Sequence, residues 1–155
     1  MSPARVFHRE NRLRQLVETP GGKRIPDAAR DAALAIEAVA ADSAAAIDEA
    51  LAALTRAVAE APSDPAAQKA VYAQASVIAG LGATCGLDGL GKAAFSLCEL
   101  ADRQMLRSEW SCEAVRVHLD AMLLLRRPDM ARSEVARASV LPGLAKVLAK
   151  TPKPA

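Results

Sequence analysis

The most informative stretch of this sequence is Ser76-Val77-Ile78-Ala79-Gly80-Leu81-Gly82-Ala83-Thr84-Cys85-Gly86, which lies within an alanine-rich sequence that predicts helices. Inside a helix each glycine costs roughly 0.5–1 kcal/mol relative to alanine. The three glycines of this stretch therefore indicate that side chains are absent so that another surface can approach closely. That surface is either a binding partner or a neighbouring helix of the same chain.

The composition favours packed helices around one core. Hydrophobic residues make up 52% of the 155 residues but aromatic residues only 3%, so alanine and leucine supply the apolar surface. Few β-branched or aromatic runs are present to form strands, and the length predicts a single domain.

No apolar run reaches the roughly 18 residues that a membrane span needs, and the first ten residues are charged where a signal peptide is apolar. We therefore expect a cytoplasmic protein with no membrane partner.

Turn and capping signals divide the chain into three parts. Residues 1–26 predict an irregular basic leader, residues 27–127 a helical bundle, and residues 128–155 a partly helical C-terminal extension with a flexible tail. The bundle is predicted to contain helices over 28–61, 66–85, 90–106 and 109–127. Asp64 and Ser108 are the predicted caps of the second and fourth helices. A weaker helix over 133–150 is expected to be interrupted at Pro142-Gly143. Short connections between four amphipathic helices predict an all-α, antiparallel four-helix bundle.

Apolar residues at three- and four-residue spacing predict which helix faces form the core. These positions are Leu34, Val39, Ile47, Leu51, Leu54 and Val58 in the first helix, Leu90, Ala94, Leu97, Cys98 and Ala101 in the third, and Val115, Leu119 and Met122 in the fourth. Trp110, at the predicted start of the fourth helix, is interpreted as a plug at the end of the bundle.

The cysteines and charges point away from metal and nucleic-acid sites. Cys85, Cys98 and Cys112 form no Cys-x-x-Cys pair, and the chain has two histidines, His8 and His118. We therefore expect no metal site and no cofactor, and interpret each cysteine as a small apolar filler.

The net charge of +2 is unevenly distributed, with two basic ends and an acidic stretch over 26–65. Because the basic ends lack interleaved aromatic residues, they predict solvated tails and no nucleic-acid partner, while salt-dependent tethering to nucleic acid or membrane stays a weaker alternative.

The order of motifs resembles that of histidine phosphotransfer (Hpt) domain proteins of the alphaproteobacterial type. The resemblance covers about residues 10–127 and rests on Asn11-Arg12-Leu13, Gly80-Leu81-Gly82-Ala83-Thr84-Cys85-Gly86, Ser96-Leu97-Cys98 and Val117-His118-Leu119-Asp120-Ala121. It implies a four-helix bundle that carries a phosphoryl group on an exposed helix histidine. In such domains a nearby lysine offsets the phosphoryl charge, and small residues let the receiver domain approach.

Compared residue by residue with the Hpt pattern, this chain keeps the small residues and lacks the reactive ones. Gly80, Gly82, Ala83, Thr84 and Gly86 match the pattern. The phosphoacceptor position holds Ser76, the lysine position holds Ala79, and Leu81 stands at a polar position. Serine forms a stable phosphate ester and cannot form the high-energy phosphoramidate that makes transfer reversible. The resemblance therefore implies a degenerate Hpt domain that has lost phosphorelay chemistry.

This pattern predicts a non-catalytic interaction module, and not an enzyme. Its expected partner is a receiver domain or a histidine kinase in two-component signalling, for which chemotaxis is one setting. An exposed Leu81 is expected at the centre of the binding face. The predicted partner-binding residues are Ser76, Ala79, Gly80, Leu81, Gly82, Ala83 and Gly86.

Two alternatives stay open at this point. In the first, the chain is an active phosphotransfer protein that uses His118, although a histidine on the flank of an apolar face is more often partly buried and hydrogen-bonded. In the second, the chain is a structural bundle whose glycine face packs on a second copy. The sequence is therefore compatible with both a monomer and a homodimer.

Overall fold

The computed structural model describes residues 24–61 and 64–152, and over these residues the fold consists of five α-helices and no strand. The helices are α1 (Ile25–Glu60), α2 (Pro65–Gly82), α3 (Asp88–Arg107), α4 (Cys112–Arg126) and α5 (Glu134–Ala149). The all-α prediction is confirmed, and a fifth helix joins the four that were predicted for the bundle. The predictions for the leader before Arg24 and for the tail after Pro152 lie outside the described residues.

The chain divides into two compact units, residues 1–37 and 38–155. The described part of the first unit, residues 24–37, belongs to α1 from Ile25 onward and is exposed throughout, including Leu34 at 60%. The prediction that Leu34 belongs to the core is therefore wrong. Val39, at the start of the second unit, is also exposed, at 55%. The second unit contains the rest of α1, the other four helices and the hydrophobic core.

The core is aliphatic and follows the predicted helix faces. All the positions predicted for the later turns of α1, for α3 and for α4 are buried: Ile47, Leu51, Leu54, Val58, Leu90, Ala94, Leu97, Cys98, Ala101, Val115, Leu119 and Met122. In the described part of the chain no aromatic ring is buried, since Tyr72 and Phe95 are exposed and Trp110 is half-buried. Over the same residues, no helix combines the length and hydrophobicity needed to cross a membrane.

Capping side chains set where the helices begin. The Asp64 side chain accepts a hydrogen bond from Ala66 N (2.8 Å), as predicted for α2. The prediction for α4 is wrong by one turn: Ser111 is the cap, since its hydroxyl accepts from Ala114 N (3.3 Å). Ser108 instead ends α3, in the left-handed conformation (φ 53°). Serine favours both helix ends and turns, so spacing alone did not distinguish the two serines.

The C-terminal extension is part of the fold, because α5 packs against α3 and α4. Leu144 of α5 is buried in the common core. The Arg103 guanidinium of α3 donates to the carbonyl oxygens of Leu148 (3.2 Å) and Thr151 (2.7 Å), and so holds the C-terminal end of α5. The predicted interruption at Pro142 is wrong, since α5 continues through it. The packing of α5 against its neighbours offsets the loss of the backbone hydrogen bond that a proline inside a helix cannot donate.

Two glycines hold α2 and α3 in close contact. A Cβ on Gly82 would lie 2.7 Å from Gly91 Cα and 2.9 Å from Gly91 N. About three turns earlier on α2, the Tyr72 carbonyl accepts a hydrogen bond from Cys98 Sγ (3.8 Å). Since positions early in α2 lie beside positions late in α3, the two helices run antiparallel. Gly82, which was predicted to bind a partner, therefore packs against another helix of the same chain.

We predict opposite effects for alanine at two neighbouring glycines. Gly82→Ala should destabilise the fold by about 1–3 kcal/mol, because the new methyl group meets the backbone of Gly91. Gly80→Ala is the matched control: its Cβ would meet nothing within 4 Å, and alanine is favoured in a helix by up to about 1 kcal/mol. Urea unfolding followed by circular dichroism measures both. Equal effects of the two substitutions would contradict the close contact at Gly82.

Candidate functional site

α2 presents two parallel rows of residues, one buried and one facing outward. The buried row is Ala67, Val71, Ala75, Ile78 and Gly82. The neighbouring face contains Ser76, Ala79 and Ala83, each one residue after a member of the buried row, together with Gly80; all are exposed except the half-buried Ala79. We call these four residues the small-residue face. They fall three and four positions apart, so they lie on one side of the helix.

The structure places some of the predicted partner-binding residues on one face of α2 and the others, Leu81, Gly82 and Gly86, away from that face. Ser76, Ala79, Gly80 and Ala83 share the small-residue face. Leu81, expected to be exposed at its centre, is half-buried and packs against the core. This correction follows from helical geometry, because Leu81 lies one residue from the buried Gly82 and beside the buried row.

The last two glycines of the stretch shape the turn after α2 and do not belong to the small-residue face. Gly82 is buried against α3, as described above. Gly86 is exposed and has a φ of 67°, a left-handed conformation that favours glycine. The turn is closed by a hydrogen bond from Leu87 N to the Gly82 carbonyl oxygen (2.7 Å). Gly86 therefore redirects the chain into α3.

A cleft of about 340 Å³ runs between α2 and α3 beside the small-residue face. It is lined by Ala79, Ala83, Asp88, Gly91, Lys92 and Phe95, and we call it the α2–α3 cleft. Small residues from both helices leave the space open, while the ring of Phe95 remains 66% exposed. The α2–α3 cleft therefore combines open space with an exposed aromatic side chain.

The contribution of α3 to this surface was not predicted from the sequence. Asp88, Lys92 and Phe95 recur at four- and three-residue spacing, which places them on one side of α3. That side is rotated away from the predicted core face of Leu90 and Leu97. The signal was therefore present in the sequence: Phe95 is an aromatic residue on the charged side of an amphipathic helix.

His118, the alternative phosphoacceptor, is fully buried between α3 and α4. Its Nδ1 lies 2.8 Å from the Ala114 carbonyl oxygen, which accepts a hydrogen bond, so Nδ1 carries the proton. Its Nε2 lies 3.0 Å from Ser96 Oγ and, in the neutral ring, accepts the hydroxyl proton. Burial lowers the pKa of His118 below its usual value of 6.5. With both nitrogens engaged and no exposed surface, His118 joins two helices, an arrangement that disfavours phosphoryl transfer through it.

The cysteines of the structure are all free, and Cys98 is buried while Cys85 and Cys112 are half-buried. Burial raises the pKa of the Cys98 thiol to about 11, so it is protonated at neutral pH and packs as an apolar group. Over residues 24–61 and 64–152 no group of three or more histidine, cysteine, aspartate or glutamate side chains is arranged to hold a metal ion.

Comparison with known proteins does not assign the chain to a family: no family model matches it, and no curated protein or solved structure does either. The small-residue face and the α2–α3 cleft are therefore interpreted from their own geometry.

We predict that the stability of the fold decreases as the pH falls below about 6.5, the pKa of an unperturbed histidine. The unfolded chain takes up a proton at His118 there, whereas burial lowers the pKa of the same ring in the folded state. The free energy of unfolding should therefore fall with decreasing pH, by at most about 1.4 kcal/mol per pH unit from this residue.

Urea titrations between about pH 7.5 and 5.5 measure this slope, in a range above the ordinary carboxyl pKa values. His118→Gln is expected to be less stable at neutral pH but to show a flatter slope. The same slope in wild-type and variant proteins would contradict a neutral, buried His118.

Proposed function

We propose that this chain is a non-catalytic interaction module, related to Hpt domains, that binds a receiver domain or a histidine kinase of a two-component pathway. The observation that carries the proposal is the exposed ring of Phe95 beside the α2–α3 cleft. Trp110 packs half-buried against the core, whereas Phe95 makes no part of it, and aromatic residues are enriched among the side chains that contribute most to binding at protein interfaces. The resemblance of residues 76–86 to the Hpt pattern supplies the class of partner.

The small-residue face suits close approach by another protein backbone. Gly80 has open space where a side chain would stand, and Ser76 and Ala83 project little from the helix. A partner can therefore contact the α2 backbone along this face while its side chains enter the α2–α3 cleft. Binding of a partner along this face explains the glycine at position 80, where a Cβ would meet none of the described residues within 4 Å.

The small-residue face carries neither the histidine nor the lysine with which Hpt domains accept and hold a phosphoryl group. Ser76 stands at the phosphoacceptor position of the Hpt pattern, and Ala79 brings no positive charge at the lysine position. His118, the alternative phosphoacceptor, is buried. We therefore propose that the module acts by occupancy: it blocks or scaffolds its partner without receiving phosphate.

We predict that truncating Phe95 weakens partner binding without unfolding the chain. The assay is calorimetric titration against receiver domains and histidine kinases from the source organism. Phe95→Ala should lower the affinity by about tenfold or more, the size expected for an aromatic side chain at the centre of an interface. Ala83→Arg should have a similar effect, because a long charged side chain obstructs the α2–α3 cleft.

Leu106→Ala is the matched control, since Leu106 is an apolar residue of α3 with a similar exposure of 63% and lies outside the cleft. It should leave the affinity unchanged. Binding that is insensitive to Phe95→Ala and Ala83→Arg would contradict the assignment of the surface. The absence of any binding partner in the panel, or acid-labile phosphate appearing on this chain, would contradict the proposed function itself.

A further inference from the structure

A second cleft opens on the other side of α3, between this helix and α5. It has a volume of about 360 Å³ and is lined by Lys92, Glu134, Arg137, Ala138, Leu141 and Pro142; we call it the α3–α5 cleft. Lys92 lines both clefts. The two clefts therefore form one surface across three helices, with an exposed ammonium group on the ridge between them.

The other charges of this surface are engaged with one another. Arg137 Nη1 donates to a carboxylate oxygen of Asp88 (3.4 Å), and Arg137 Nη2 pairs with Glu134. Asp88 precedes Lys92 by one helical turn, a spacing at which the two could pair, but its carboxylate is directed to Arg137. In the described part of the chain no carboxylate lies within ion-pair distance of Lys92. Lys92 is therefore the one charge of this surface that is left for a partner.

We propose that the docking surface extends from the α2–α3 cleft across Lys92 to α5, and that its partner presents a carboxylate surrounded by apolar side chains. This inference rests on the proposed function and specifies the chemistry of the partner. The carboxylate pairs with Lys92, and apolar groups on either side contact Phe95 in one cleft and Leu141 and Pro142 in the other. Apolar contacts on both sides exclude water from the ion pair and strengthen it.

The charge pattern favours a different protein over a second copy of this chain. In a symmetric pair centred on this surface, the same patch contacts itself. The two Lys92 ammonium groups would then approach each other, while Asp88 and Glu134 are already paired with Arg137. A carboxylate-bearing partner removes this repulsion and satisfies Lys92.

The test measures the affinity of variants for the receiver domain or kinase that binds the wild-type chain, at about 50 and 300 mM salt, which span strong and weak screening. Lys92→Met and Lys92→Glu should weaken binding by about tenfold or more at low salt. They should also reduce the dependence of the affinity on salt. Lys92→Arg keeps the positive charge and should therefore retain both the wild-type affinity and its salt dependence. Ala138→Arg, at an exposed position of the α3–α5 cleft, should weaken binding by obstruction. Lys146→Met and Ala145→Arg, exposed on α5 outside both clefts, are the matched controls and should leave binding unchanged.

The outcomes separate this inference from the function on which it rests. If Phe95→Ala weakens binding while the Lys92 and Ala138 variants match their controls, the carboxylate partner and the α5 contact are overturned and the proposed function stands. If nothing in the panel binds wild-type protein, both fail together. If the chain alone sediments as a dimer that Lys92→Glu disrupts, the occupant is a second copy and the inference is overturned.

Discussion

The close contact of α2 and α3 at Gly82 and Gly91 is the constraint on which the candidate surface depends. With no side chain at either position, the two backbones meet where a Cβ on Gly82 would clash. This contact brings Ala79 and Ala83 of α2 to the same cleft as Phe95 of α3. One short segment therefore performs two tasks, because its buried row holds the helices together and its exposed row forms the small-residue face.

Much of the fold could be predicted from the sequence because helical periodicity records burial directly. The core faces of α3 and α4 followed from apolar spacing, and the start of α2 from Asp64 and Pro65. The errors arose where neighbouring packing decides the outcome. Pro142 lies inside α5 because that helix packs against α3 and α4, and Ser111 caps α4 although Ser108 offered the same chemistry.

The candidate site was predictable only in part, for a physical reason. A glycine in a helix indicates close approach but does not specify what approaches, so Gly82 and Gly80 looked alike in the sequence. In the structure Gly82 faces Gly91, and Gly80 faces open space. Phe95 was missed because its role depends on α2 lying beside it. Together these residues describe a surface that combines apolar contacts with an ammonium group, that of Lys92, which pairs with no carboxylate of the described residues.

The exposed row of α2 and the adjoining side of α3 together form the surface to which the partner is proposed to bind. The most direct measurement is a map of amide chemical-shift changes in the isotope-labelled chain on addition of a binding receiver domain or kinase. Binding at this surface should produce the largest changes at Ser76, Gly80, Ala83 and Phe95, with little change at the buried His118. Changes confined to α4 or the exposed turns of α1, with these four residues unaffected, would contradict it.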